Sequence, residues 1–246
     1  MTHKGQIPIL AIAEQSLRQI TLPPLVRPKV SVDNPNEELN VWGITYYSYC
    51  LVAHMRTVFT GLLQLLQARN IPTAFIVCRH VFEWTAHACY MSRNIANYFK
   101  KKEWARAWHL QSLAMEGNIW VKAHGPKYAP KEMTEGVPDP LGTANVVSCY
   151  EEYQRQAGKK PDAKDTYGLL SEHSHPNSAC FNRYCQYAGS EVRFIPPSTD
   201  ASVLGEERYL LDFLIFLEQL LTLGKEKVVR KQIIAMLEGI ARLAKP

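Results

Sequence analysis

The sequence predicts an all-α fold, a multi-helix bundle of six to eight helices with a small irregular or β-hairpin flap near 183–195. Three observations predict it. Apolar residues recur in blocks of helix length. Proline and glycine separate the blocks. Only 183–195 has strand-like texture, with Tyr184, Gln186, Glu191, Val192 and Phe194 around Ala188-Gly189.

The elements follow in order. Residues 6–21 fit a short amphipathic helix. Pro23, Pro24, Pro28 and Pro35 then make an extended strap, because proline fixes φ and lacks a donor N–H. Asn36-Glu37-Glu38 opens a helix reaching about Ala68, with acids suited to its first turn. At 1.5 Å per residue it is ~50 Å long, which allows a kink at Gly43 or Gly61. Asn70-Ile71-Pro72 ends it and starts the next, which runs to about Tyr98 with Lys100, Lys101 and Lys102 behind it. Further helices are predicted over 103–123, 141–157 and 165–175, then from Ser198-Thr199-Asp200 to about Gly224, and finally over 225–244. Residues 125–140 read as a long loop. The organisation is an N-terminal helix and strap, 1–35, and a single helical-bundle domain, 36–246.

Composition excludes several classes. The 246 residues are 46% hydrophobic and 21% charged, which leaves no room for a collagen-like, low-complexity or globally disordered chain. The six cysteines form no C-x-x-C pair and fall mostly in apolar stretches, so a cytoplasmic, reducing setting is predicted. The apolar run Ile7–Ala13 is too short for a usual signal peptide. Leu39–Met55 carries Asn40, Gly43, tyrosines and His54, and reads as a buried helix rather than a membrane span.

Two polar clusters carry the candidate chemistry. The segment Pro72–Tyr98 is apolar on every side in its first part, as befits the middle of a bundle, yet it holds Arg79, His80, Glu83 and His87. Together with Tyr90 they fall within about 100° of helix surface. Arg79 and Glu83 are i, i+4 and can pair. A polar stripe on an apolar helix needs internal partners or a water-filled pocket. The second cluster is Tyr167 to Ser178, where Ser171 and His175 are i, i+4 and Pro176 breaks the helix beside Asn177.

These groups allow three readings: a structural latch, an acid–base site, or a metal site. In the second, His175 titrates near neutrality and Arg79 binds an anion such as phosphate. A zinc site of His173, His175, Cys180 and Cys185 departs from the usual spacing of structural zinc sites. A His80/Glu83/His87 metal face lacks the H-E-x-x-H pattern. No metal and no cofactor is therefore expected.

Arg-x-x-x-Glu in an aliphatic helix (Arg79 to Glu83), followed by Tyr-x-x-Leu-Ser-Glu-x-x-His-Pro (Tyr167 to Pro176), resembles a family of uncharacterised bacterial all-helical domains, loosely HEPN-like. The resemblance spans about residues 40–220 and rests on short motifs. It implies a shared polar set of Arg79, Glu83, Ser171 and His175. His80, His87, His173 and Asn177, from the same two clusters, are the expected substrate contacts. HEPN domains include toxin and antiphage ribonucleases. Their Arg-x4–6-His motif is absent here, since seven residues separate Arg79 from His87.

The net charge of +5 is unevenly spread. Residues 97–131 hold Lys100, Lys101, Lys102, Arg106, Lys122, Lys127 and Lys131 against Glu103 and Glu116. Residues 224–246 hold Lys225, Lys227, Arg230, Lys231, Arg242 and Lys245 against Glu226 and Glu238. Trp104, Trp108 and Trp120 interleave with the first segment, as in surfaces that bind nucleic acid by phosphate contact and stacking. The spacing of Trp104, Trp108 and Leu113 equally fits the buried stripe of an amphipathic helix.

Two functions are expected. One is a HEPN-like effector in antiviral defence or a toxin–antitoxin system, acting on RNA or another phosphate-bearing substrate. The other is a non-catalytic interaction subunit, with a protein partner or as a homodimer, in which the Arg/Glu/Ser/His cluster is structural. No membrane association is expected.

Overall fold

The chain is an all-α multi-helix bundle. A computed structural model describes residues 6–115, 137, 142–174, 185–188, 191–194 and 206–243. Its helices are α1 (Gln6–Gln19), α2 (Glu37–Gln67), α3 (Ile71–Lys101), α4 (104–115), α5 (Thr143–Gln156), α6 (Ala163–Ser174), α7 (Glu206–Leu223) and α8 (Val228–Leu243). Strands β1 (Cys185–Ala188) and β2 (Glu191–Phe194) pair antiparallel, with Cys185 opposite Phe194 and Ala188 opposite Glu191. They lie within the predicted flap. The distal part of the predicted 103–123 helix, the 125–140 loop apart from Val137, and the Ser198-Thr199-Asp200 cap lie outside the described residues.

Local chemistry sets the helix ends. The Asn36 side chain accepts from Leu39 N–H at 3.0 Å and caps α2, with Glu37 and Glu38 in the first turn. Asn70 caps α3, and the helix starts one residue before Pro72. It also runs past Tyr98 to Lys101, where Lys102 takes a left-handed conformation and its N–H returns to the last turn. The Glu226 carboxylate accepts from Val228, Val229 and Arg230 N–H, so α8 begins at 228 rather than 225. Gln154 is fully buried, and its Oε1 accepts from Asp162 and Ala163 N–H, joining α5 to the start of α6.

The core centres on α3, which packs against α2, α5, α6 and α7. Phe75, Val81, Phe82, Ala86, Cys89, Met91 and Ile95 are buried along it. Phe82 meets Tyr150 of α5 and Tyr209 of α7 edge-on. Buried threonines tie the layers: Thr85 donates to the Tyr209 carbonyl and Thr45 to the Gly224 carbonyl. The N-terminal helix joins the same core through Ala13, Leu17 and Ile20. Arg56 of α2 donates to the Leu17 and Ile20 carbonyls where α1 ends, adding to the Ile20 N–H bond that Leu17 already accepts.

By length and hydropathy α2 could cross a membrane. In this fold it carries buried Asn40 and Ser48 and packs against α1, α3 and α7.

Gly43 has a packing role, within a continuous α2. A Cβ there would lie 2.4 Å from Gln111 Oε1 and 2.8 Å from Trp108 Cζ3. Gln111 is fully buried and donates to Asn40 Oδ1 at 2.8 Å, so its amide cannot simply swing away. Gly43→Ala is therefore expected to destabilise the fold by about 1–3 kcal/mol through overpacking. Denaturant unfolding reads this as a lower midpoint with unchanged helical circular dichroism below it.

Candidate functional site

The polar stripe of α3 faces a cleft. Arg79, His80 and Glu83 line an open cavity of about 530 Å³ with Thr57, Val58, Gly61, Ile76 and Val77. His80 and Glu83 also line a second chamber of about 220 Å³, together with Trp84, His87, Ala114, Thr143 and Val146. The two chambers thus share one wall, supplied by α3.

Arg79 and Glu83 meet as their spacing predicts. Arg79 Nε donates to Glu83 Oε1 at 3.0 Å, with side chains 23% and 34% exposed. Arg79 Nη2 also donates to the Tyr167 hydroxyl of α6 at 3.0 Å, and the guanidinium lies over that ring at 5.3 Å. Burial works against the charge of Arg79, but Glu83 and Tyr167 outweigh it, and the guanidinium pKa is raised. A cation held on one edge by a carboxylate and over a ring is fixed in direction before any ligand arrives.

His80 is bound to partners that sequence spacing does not reveal. Trp84 Nε1–H donates to His80 Nε2 at 2.8 Å, and His54 Nε2 of α2 lies 2.8 Å from the same atom. An indole N–H can only donate, so His80 Nε2 is an acceptor and His54 Nε2 carries the proton. His80 is therefore neutral, protonated on Nδ1. Burial lowers the pKa of His80 against the opposing field of Glu83, and burial and then His80 lower that of His54.

His87 is held separately. Its Nδ1 lies 2.6 Å from the Tyr47 hydroxyl of α2. Burial pushes its pKa down to about 4 and raises that of Tyr47. The buried phenol needs an acceptor, which places its hydrogen on Nδ1 and leaves the His87 proton on Nε2. That Nε2 is shut from solvent and meets no hydrogen-bond partner among the described residues.

The remaining predicted residues divide. Ser171 sits on α6 one turn beyond Tyr167, its buried hydroxyl without a hydrogen-bond partner among the described residues. His173 lies on α6, its side chain outside the described set, while His175, Asn177 and Cys180 lie wholly outside it. Among the described residues no group of three or more His, Cys, Asp or Glu side chains could hold a metal ion. His80 and His87 face different partners, so the His80/Glu83/His87 metal face is not assembled.

The basic segments are partly neutralised. Lys225 pairs with Glu37 and Arg230 with Glu218, each at 2.6 Å, and Arg242 lies 3.9 Å from Glu238. Trp104 packs on Phe99, and Trp108 lies under Gly43. Both are half-buried packing residues, while Trp120 is outside the described residues.

One cysteine is more than a core hydrophobe. Cys149 of α5 is half-buried, with Arg93 Nη1 4.0 Å from its sulfur. A hydrogen bond with the buried Cys89 thiol, helped by Arg93 and opposed by burial, brings its pKa down to about 7.

His54, Tyr47 and Trp84 are the site residues that spacing missed. The signal available was the lone histidine of α2, in the largely aromatic and aliphatic stretch between Val41 and Met55. Comparison with protein-family models, curated proteins and solved structures finds no match to this chain.

Proposed function

We propose that the chain is a cytoplasmic, HEPN-like helical effector whose cleft takes RNA or another phosphate-bearing substrate, in antiviral defence or a toxin–antitoxin system. One observation carries this reading: Arg79, His80 and Glu83, polar residues on an otherwise apolar helix, together line a 530 Å³ cavity. Such a cavity with a few convergent polar groups is the usual form of a ligand site.

In this reading Arg79 contacts a phosphate oxygen, and Glu83 and Tyr167 aim it. His175 is the acid–base group, oriented by Ser171. His80, His87, His173 and Asn177 contact substrate. The basic segments 97–131 and 224–246 add long-range attraction for nucleic acid.

The test is binding and cleavage of a labelled oligoribonucleotide by the full chain. Arg79→Met is expected to weaken binding at least about tenfold. His175→Ala is expected to slow cleavage by about 10²–10⁴-fold with binding retained. If the wild-type chain neither binds nor cleaves RNA, and ribose 5-phosphate and inorganic phosphate also fail to bind, this reading is wrong.

A second reading is favoured by the Arg79–Tyr167 bond, which already ties α3 to α6. There the cluster is a latch in a non-catalytic interaction subunit, bound to a second copy of the chain or to another protein. Arg79→Met would then lower the melting temperature and leave partner binding intact.

A further inference from the structure

Two thiols meet where α3 packs on α5. Cys89 of α3 is fully buried, while Cys149 of α5 is half-buried beside the exposed Ser148. Both are free cysteines. The Cys89 sulfur lies 4.0 Å from the Cys149 carbonyl oxygen, and the two thiols are hydrogen-bonded across the helix interface. Arg93, one turn beyond Cys89, spans from the surface to this pair. Its Nη2 donates to Gln156 Oε1 at 3.0 Å, and its Nη1 donates to the Cys149 carbonyl at 3.2 Å and stands 4.0 Å from the Cys149 sulfur. A planar guanidinium tied at both edges is held beside that sulfur.

The two sulfurs differ in reactivity. Cys149 accepts from the Cys89 thiol and lies beside Arg93, and both favour its thiolate against burial and Glu152, which brings its pKa down to about 7. Cys89 keeps its proton, because burial pushes its pKa up and Cys149 and Asp212 act the same way, with only Arg93 opposing. The outer sulfur is therefore the nucleophile. The inner one is sealed from solvent and meets an oxidant only through its neighbour.

We propose that Cys149 and Cys89 form a reversible oxidation site for hydroperoxides, in which Cys149 reacts first and Cys89 then closes a disulfide between α5 and α3. The Cys149 thiolate attacks the terminal peroxide oxygen. An S–O bond forms as the O–O bond breaks, and the leaving oxygen takes a proton from solvent and departs as water or an alcohol. The sulfur becomes a sulfenic acid, oxidised by the electron pair that reduces the peroxide. Cys89 has then lost the neighbouring negative charge that helped hold its proton. Its sulfur attacks the sulfenic sulfur. An S–S bond forms as the S–O bond breaks, and the hydroxide leaves with the Cys89 proton as water. A thiol reductant reverses the link by exchange. Neither cysteine lines the Arg79 cavity or the smaller chamber, so this site does not depend on what the cleft binds.

Peptide mass spectrometry of the reduced full chain, treated with hydrogen peroxide and quenched with a thiol-alkylating agent, tests it. The expected product is a linked Cys89–Cys149 peptide that dithiothreitol returns to two free thiols. In Cys89→Ser, which keeps a donor and removes the second sulfur, dimedone is expected to capture the Cys149 sulfenic acid. Arg93→Met is expected to slow Cys149 oxidation by about tenfold, and Arg93→Lys to recover part of the rate. The exposed Cys50 thiol is the internal comparison and is expected to react after Cys149. Should the variants misfold, the wild-type map decides alone. Oxidation of Cys50 ahead of Cys149, a link from Cys149 to any other cysteine, or a Cys149 sulfinic acid without the link overturns the proposal. So does a Cys149 that stays reduced.

Discussion

Lys159→Met is expected to destabilise the protein by about 3 kcal/mol, the low end for breaking a buried ion pair. Asp212 of α7 is fully buried. One carboxylate oxygen accepts from the Tyr150 hydroxyl at 2.6 Å, and the other pairs with the Lys159 ammonium. That ammonium also lies 5.3 Å from the Tyr153 ring centroid. Methionine keeps the stem and removes the charge, leaving an uncompensated carboxylate among aromatic rings. Water softens the loss, because the Lys159 side chain is 36% exposed. Lys164→Met is the control. Its partner Glu151 is 3.2 Å away, but Lys164 is 61% exposed, and a loss below about 1 kcal/mol is expected. Urea unfolding of both variants measures the difference. Equal midpoints would show that Asp212 does not depend on Lys159.

Acidification is expected to remove a comparable amount of stability. The His87 pKa falls from 6.5 to about 4 on folding, so between these values the unfolded chain binds the proton more strongly. Stability conferred by the neutral ring is full above pH 6.5 and declines as pH falls toward 4. The full loss is about 3 kcal/mol, from 1.36 kcal/mol per pKa unit. His54, His80 and His109 are lowered in the same direction by burial and add to the trend. Denaturant midpoints at pH 7.5 and 4.5 are expected to differ markedly in the wild-type chain and less in His87→Gln. Histidine NMR tests the cause directly: titration of His87 near its ordinary value would remove it.

The helices were legible in the sequence because their ends are local chemistry. Asn36 before two glutamates and Asn70 before Ile71-Pro72 announce α2 and α3 within a few residues. The Arg79–Glu83 pair was legible for the same reason, since one turn of helix fixes its reach. The bonds from His54 to His80 and from Tyr47 to His87 were not. They depend on the register of α2 against α3, which single-helix periodicity does not contain. The Asp212 cluster was equally hidden, although a lone acid inside Tyr209–Leu214 marks where a buried charge must find partners. Periodicity grouped Arg79, His80 and His87 on one face. The fold then turns Arg79 toward α6 and the two histidines toward α2, each following a partner on another helix.

The wall common to the two chambers ties their occupancies together. His80 and Glu83 cannot change position or hydrogen bonding in one chamber without changing the other. A ligand that draws Glu83 toward the smaller chamber also alters the field at Arg79, so affinities at the two places are not independent. By thermodynamic linkage the influence runs equally in both directions. Whatever factor an occupant of one chamber applies to binding in the other, it receives the same factor in return.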